Sequence, residues 1–216
     1  MFDSTSISLT ILAVGVLAVA LTSGNGASDS ISQAMAALQK GNTLERRQAA
    51  EVLARLGDQR AVPSLGRALR DPDQLVRDTA EQALWSVWHR SGRPEVDARL
   101  QDGMVEMQRG AFESAVAIFT EVIDMALDFA EGYNKRATTY YLMQEYEQSI
   151  RDCDQTIALN PVHFGALSGT GLNYLGLHEP RKALEYFERA VEVNPNMPQI
   201  QAYIEAIKKF LRDQSL

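Results

Sequence analysis

A repeat of fixed length constrains this chain more than any single motif. Gly171, Tyr174, Ala183, Phe187, Ala190 and Pro195 recur, 34 residues earlier, as Ala137, Tyr140, Ser149, Cys153, Thr156 and Pro161. A second shift of 34 reaches Gly103, Glu106, Ala115, Phe119, Val122 and Leu127, the copy that departs most, at Glu106 and Leu127. Units of this size cannot bury an apolar face alone and must stack on their neighbours. The apolar positions inside each unit sit three and four residues apart, the spacing of one helical face. Small residues recur where paired helices must approach closely, and large ones where their faces interlock.

A shorter period precedes it. Arg46, Ala49, Leu53 and Leu56 return 31 residues later as Arg77, Ala80, Leu84 and Val87. Between the copies, Val62, Leu65 and Leu69 share a second helical face that Asp71-Pro72-Asp73 closes. A partial earlier copy of this helix is Ile31, Ala34, Met35 and Leu38, ending at Gly41-Asn42.

The Arg-x-x-Ala-x-x-x-Leu series and the Ala61-Val62-Pro63-x-Leu65 start resemble HEAT repeats, in the short form also found in bilin lyases. The 34-residue series resembles the tetratricopeptide repeat (TPR). The two resemblances imply an all-α solenoid. Its HEAT-like pairs occupy residues 31–95, three TPR units occupy 96–196, and a capping helix lies in 197–216. In that last stretch Ile200, Tyr203, Ile204, Ile207 and Leu211 form one apolar face.

The leading residues 1–30 read differently. Ile7 to Leu21 is fifteen residues without a charge. As a helix it reaches roughly 22 Å, short of the ~30 Å hydrocarbon core unless its flanks join it. Three readings stay open: a retained membrane anchor, a cleaved export signal with Ala18-Val19-Ala20 as its site, and a buried core helix. No basic residue precedes Lys40, so the positive start of a secretory signal is missing. Ser23 to Ser30 (SGNGASDS) reads as a flexible tether. If the segment spans, Lys40, Arg46 and Arg47 favour a repeat body on the cytoplasmic side.

Chemical signatures are absent from the pattern. The net charge of -7 argues against a protein that grips nucleic acid. Residues 96–216 hold eleven Lys and Arg against eighteen Asp and Glu, whereas 31–95 hold ten against eight. His89, His163 and His178 stand far apart with no ligand spacing, so neither a metal nor a cofactor site is expected. His163 and His178 read as solvated turn residues beside Pro161 and Pro180, and His89 as a packing or capping residue. Cys153 fills the slot of Phe119 and Phe187, a packing role rather than a nucleophile. Gly24-Asn25-Gly26 lacks the strand-helix context of a phosphate loop. No catalytic residue is assigned, and the chain is expected not to be an enzyme.

The resemblance to TPR arrays implies a concave groove lined by the first helix of each unit. The matching positions are Asp97, Leu100, Met104 and Met107, then Glu131, Asn134, Thr138 and Tyr141, then Gly165, Ser168, Leu172 and Leu175. Leu100, Met104, Met107, Asn134, Thr138, Tyr141, Ser168, Leu172 and Leu175 form the expected partner-binding surface. The family's clamp for acidic chaperone tails would fall on Leu100, Met104, Lys135, Gly165 and Gly169, where only Lys135 is charged. An apolar or amphipathic helix of another protein is therefore the expected partner, held by a scaffold or assembly adaptor. Two alternatives are a bilin-lyase-like or chaperone-like factor acting on a protein-cofactor complex, and a structural subunit of a membrane-associated complex. The groove is either open or partly closed by the helix that carries Trp85 and Trp88.

Overall fold

The computed structural model describes residues 25–213, which form eleven α-helices, with no strand among the described residues. The apolar stretch Ile7–Leu21 lies outside the described residues. The HEAT part comprises α1 (Asn25–Lys40), α2 (Thr43–Leu56), α3 (Val62–Ala68) and α4 (Gln74–Trp88). Residues 25–30, expected within a tether, are instead the opening turns of α1. Packing of Ile31, Ala34 and Leu38 carries the helix back through them. The Ser30 and Ser32 hydroxyls donate to the carbonyls of Gly26 and Ser28 at 2.6 and 3.0 Å.

Local chemistry sets the helix starts. Asn42 and Glu45 make a reciprocal capping box at α2. Asp73 caps α4 by accepting from the Val76 N–H at 3.1 Å. The recurring arginine has a repeated job. Arg46 donates to the Gly41 carbonyl at 3.0 Å and makes two bonds to the Asp71 carboxylate, at 2.6 and 2.9 Å. One unit on, Arg77 donates to the Pro72 carbonyl, but its second partner is the Asn196 amide oxygen at 3.0 Å. The exit of the last TPR unit thus takes the place that the next HEAT unit would fill.

The TPR part pairs α5 (Pro94–Gln108) with α6 (Phe112–Met125), α7 (Ala130–Leu142) with α8 (Tyr146–Leu159), and α9 (Phe164–Gly176) with α10 (Pro180–Val193). The small repeat positions are where helices touch. A Cβ on Gly103 would lie 2.5 Å from the Phe119 ring, and one on Gly171 2.5 Å from the Phe187 ring. Each pair turns through one left-handed residue, Gly110, Gln144 and His178, at φ of 78°, 62° and 58°. Helix α11 (Pro198–Asp213) stands where a fourth unit would begin. It seals α10 through Ile200, Ile204 and Ile207, with the Tyr203 ring stacked on Phe187 at 5.5 Å. Glu205 replaces the small residue that a following helix would need, so α11 ends the array as a cap.

Gly103→Ala is expected to destabilise the protein by about 1–3 kcal/mol, because the Phe119 ring has nowhere to go. Gly66 lies in α3 with nothing within 4 Å of an added Cβ. Gly66→Ala is expected to stabilise by about 0.5–1 kcal/mol. Urea unfolding of the two variants beside the wild type measures both signs.

Candidate functional site

Two tryptophans on α4 join the HEAT stack to the TPR array. The Trp88 ring stacks on His163 at 4.2 Å, and Trp85 meets His163 and Phe164 edge-on at 5.5 and 5.3 Å. Phe164 thereby belongs to the HEAT core although it opens α9. Trp88 is 2% exposed and its indole N–H meets no acceptor, so stacking and burial alone hold it. A polar seam continues at the array's exit. Asn196 donates to the Leu69 carbonyl at 2.7 Å and Asn194 to Glu81 at 3.1 Å, while Arg70 donates to the Val193 carbonyl at 3.2 Å.

Beneath the tryptophans lies a buried charge. Glu131, 1% exposed, meets His163 Nε2 at 3.1 Å, Lys135 Nζ at 3.1 Å, Asn134 Nδ2 at 3.2 Å and His89 Nε2 at 3.4 Å. His163 Nδ1 accepts the Ala166 N–H at 3.0 Å and so caps α9. Its proton must then sit on Nε2, where it is donated to Glu131. His89 Nδ1 donates to the Trp85 carbonyl at 2.6 Å, because a carbonyl has no proton to give. His89 Nε2 stands 3.4 Å from the Glu131 carboxylate and donates to it when the ring is protonated. Burial pushes the Glu131 carboxyl up, but the hydrogen bond from His163 and the positive charges of Lys135 and His89 outweigh it. They hold it down at about 2.

Two expectations change here. His163 is fully buried rather than solvated, and Glu131 faces the junction instead of an open groove. Neither histidine sits at a metal-ligand spacing, and the periodicity does not relate them to Glu131. The available clue was that Glu131 and His163 open consecutive first helices, and so lie at the same end of neighbouring helices. His178 is exposed in its turn, as the sequence implies. Cys153 is buried and its thiol is pushed up to about 12 by desolvation, which suits packing and not nucleophilic attack.

The junction divides the groove in two. Trp85 lies over Gly165, where a Cβ would come within 2.4 Å of its ring, and Lys135 stands 6.0 Å from the same ring. Leu100, Asn134 and Ser168, expected to face a partner, are 2%, 6% and 8% exposed. Leu100 sits in the core of the first unit, and Asn134 is bound to Glu131. Farther along α5, α7 and α9, Thr138 is exposed and Met104, Met107, Tyr141, Leu172 and Leu175 are half-buried. The two methionines rest on the first unit's own core, not on the tryptophans. Leu172 and Leu175 pack partly against the third unit's cluster, and the Tyr141 ring leans on Tyr146 at 6.1 Å.

With this geometry in place, comparison with known proteins assigns the family. The profile for HEAT repeats matches residues 2–111, and that for the tetratricopeptide repeat matches 171–197. The chain belongs to the HEAT-repeat family and carries tetratricopeptide repeats. The HEAT match extends beyond the expected 31–95 on both sides. A TPR repeat-containing protein of Rhizobium etli is 30% identical over 128 residues, 58% of this chain and 61% of the relative. The small glutamine-rich tetratricopeptide repeat-containing protein 2 of Saccharomyces cerevisiae is 25% identical over 171 residues, 76% of this chain and 49% of that one. The HEAT–TPR chain therefore spans less than two thirds of either relative. In fold it is similar to the first TPR domain of Spaghetti (RPAP3) bound to the HSP90 peptide SRMEEVD. That likeness has a TM-score of 0.53 at 21% identity, covering 54% of this chain and 93% of that one.

Stability of this HEAT–TPR protein is expected to depend on pH through Glu131. A carboxyl whose folded pKa is lowered from 4.5 to about 2 stabilises the fold fully above 4.5. That contribution, roughly 3 kcal/mol, is lost as the pH falls toward 2. Denaturation midpoints measured across this range should decline steeply in the wild type and much less in Glu131→Gln.

Proposed function

We propose that the protein is a non-enzymatic interaction scaffold. It holds a segment of another protein in the open half of its TPR groove, across Met104, Met107, Thr138, Tyr141, Leu172 and Leu175. The observation that carries this reading is the position of α4, which fills the first half of the groove and leaves the second half bare. A solenoid offers a long surface on a simple fold, and binding is its natural use.

The Spaghetti (RPAP3) domain bound to an HSP90 peptide supports a peptide-sized occupant. The chemistry here differs from a carboxylate clamp. Lys135, the lone cation at those positions, is engaged by Glu131 at 3.1 Å, and Trp85 stands over Gly165. What remains is apolar with a hydroxyl or two, which suits the apolar face of an amphipathic helix. We further propose that residues 7–21 anchor the scaffold at a membrane, with the repeats on the cytoplasmic side. Among the described residues no helix is long and apolar enough to cross one.

Fluorescence anisotropy with two labelled peptides tests the reading. A leucine-faced amphipathic helix with an uncharged polar face is expected to bind. A Thr138→Glu, Tyr141→Glu double variant should weaken it about tenfold, near 1.4 kcal/mol. SRMEEVD is expected to show no saturable binding. Tight binding of SRMEEVD, or indifference of the helix to the double variant, would sink the proposal.

A further inference from the structure

Helix α11 lays one face on the array and leaves an adjoining face open to solvent. Ile200, Ile204 and Ile207 are buried, whereas Tyr203 and Phe210 are 42% and 49% exposed. Between the second half of α11 and the α9–α10 turn opens a cleft of about 830 Å³. Leu175, Tyr203, Ala206 and Phe210 line its apolar part, and His178 and Arg181 stand at its rim. A cleft of this size takes the bulky side chains of a docked helix, and contiguous exposed aromatics commonly mark such a surface.

Charge decides among the occupants. Lys182, also at the rim, is neutralised by Glu179 at 2.6 Å. Arg181 is exposed and pairs with no carboxylate among the described residues, although residues 96–216 hold eighteen Asp and Glu against eleven Lys and Arg. The chain's own Ile7–Leu21 has no charge to offer this guanidinium. A second copy docking its α11 would present Lys208, Lys209 and Arg212 against Glu205 and Asp213, a net positive helix facing a cation. A carboxylate-bearing partner satisfies both the apolar floor and the free cation.

We infer that this cleft is a docking site for an acidic amphipathic helix of a partner protein. Bulky apolar side chains of that helix bury Tyr203, Ala206 and Phe210, and an aspartate or glutamate pairs with Arg181. The cleft adjoins the proposed groove at Leu175 but does not depend on occupancy there.

The test uses the full chain and two labelled helical peptides with one shared Leu/Phe face, the polar face carrying glutamates in one and lysines in the other. The acidic peptide is expected to bind about fivefold more tightly at physiological salt, and Arg181→Glu should erase that preference. Measured in a Thr138→Glu, Tyr141→Glu background that closes the groove, Phe210→Glu, at an exposed position, should abolish binding of both. Equal affinity for the two peptides, or acidic-peptide binding untouched by Phe210→Glu, overturns the inference. A photo-crosslinker at position 206 identifies the occupant directly. An adduct with the acidic peptide supports the site, whereas a chain-to-chain adduct or one to residues 1–24 overturns it.

Discussion

A carboxylate taken wholly out of water costs several kcal/mol unless charge and hydrogen bonds replace the lost hydration. Glu131 is in that position, and the groups that compensate it come from three separate stretches of chain. His89 follows α4, Lys135 and Asn134 lie on α7, and His163 precedes α9. Satisfying this one side chain therefore fixes how the HEAT stack sits on the TPR array. Trp85 and Trp88 then cover it, so that water cannot enter and the tryptophans gain a flat partner in His163. The second seam, at Asn194 and Asn196, reinforces the same placement from the far end of the array.

Closure of the chain on itself shapes what a partner meets. An isolated TPR array would present the whole inner face of its first helices. Here the first turns of α7 and α9 are capped by α4, and Lys135 on α7 is already engaged by Glu131. What stays exposed or half-buried at the groove positions is Met104, Met107, Thr138, Tyr141, Leu172 and Leu175. At the rim of the α11 cleft, by contrast, Arg181 is exposed and pairs with no carboxylate among the described residues.

The repeats were legible because close packing demands them. Gly103 and Gly171 face phenyl rings at distances no Cβ tolerates, so their spacing records a steric requirement. The arginine of the HEAT units was legible as a recurrence, and its hydrogen bonds to Gly41 and Asp71 explain why it recurs. Residues 25–30 misled because Gly, Ser and Asn favour turns, while the helix there is held by downstream packing rather than by propensity. Glu131 and His163 misled for another reason. A glutamate at a groove position and a histidine beside a proline both look solvated until something from elsewhere covers them.

The amino-acid sequence by itself determined the helical units, their lengths, their order and the apolar face of each, since these depend on contacts three and four residues apart and on one repeat packing against the next. Tertiary structure alone decided which half of the groove stays open. The bonds that decide it, such as those from Asn196 to Leu69 and from Arg70 to Val193, join residues 127 and 123 apart and follow no period. They form only because the curvature accumulated over three TPR units returns the end of the array to the HEAT stack. Superhelical curvature is the sum of many small packing angles, and no single residue encodes it.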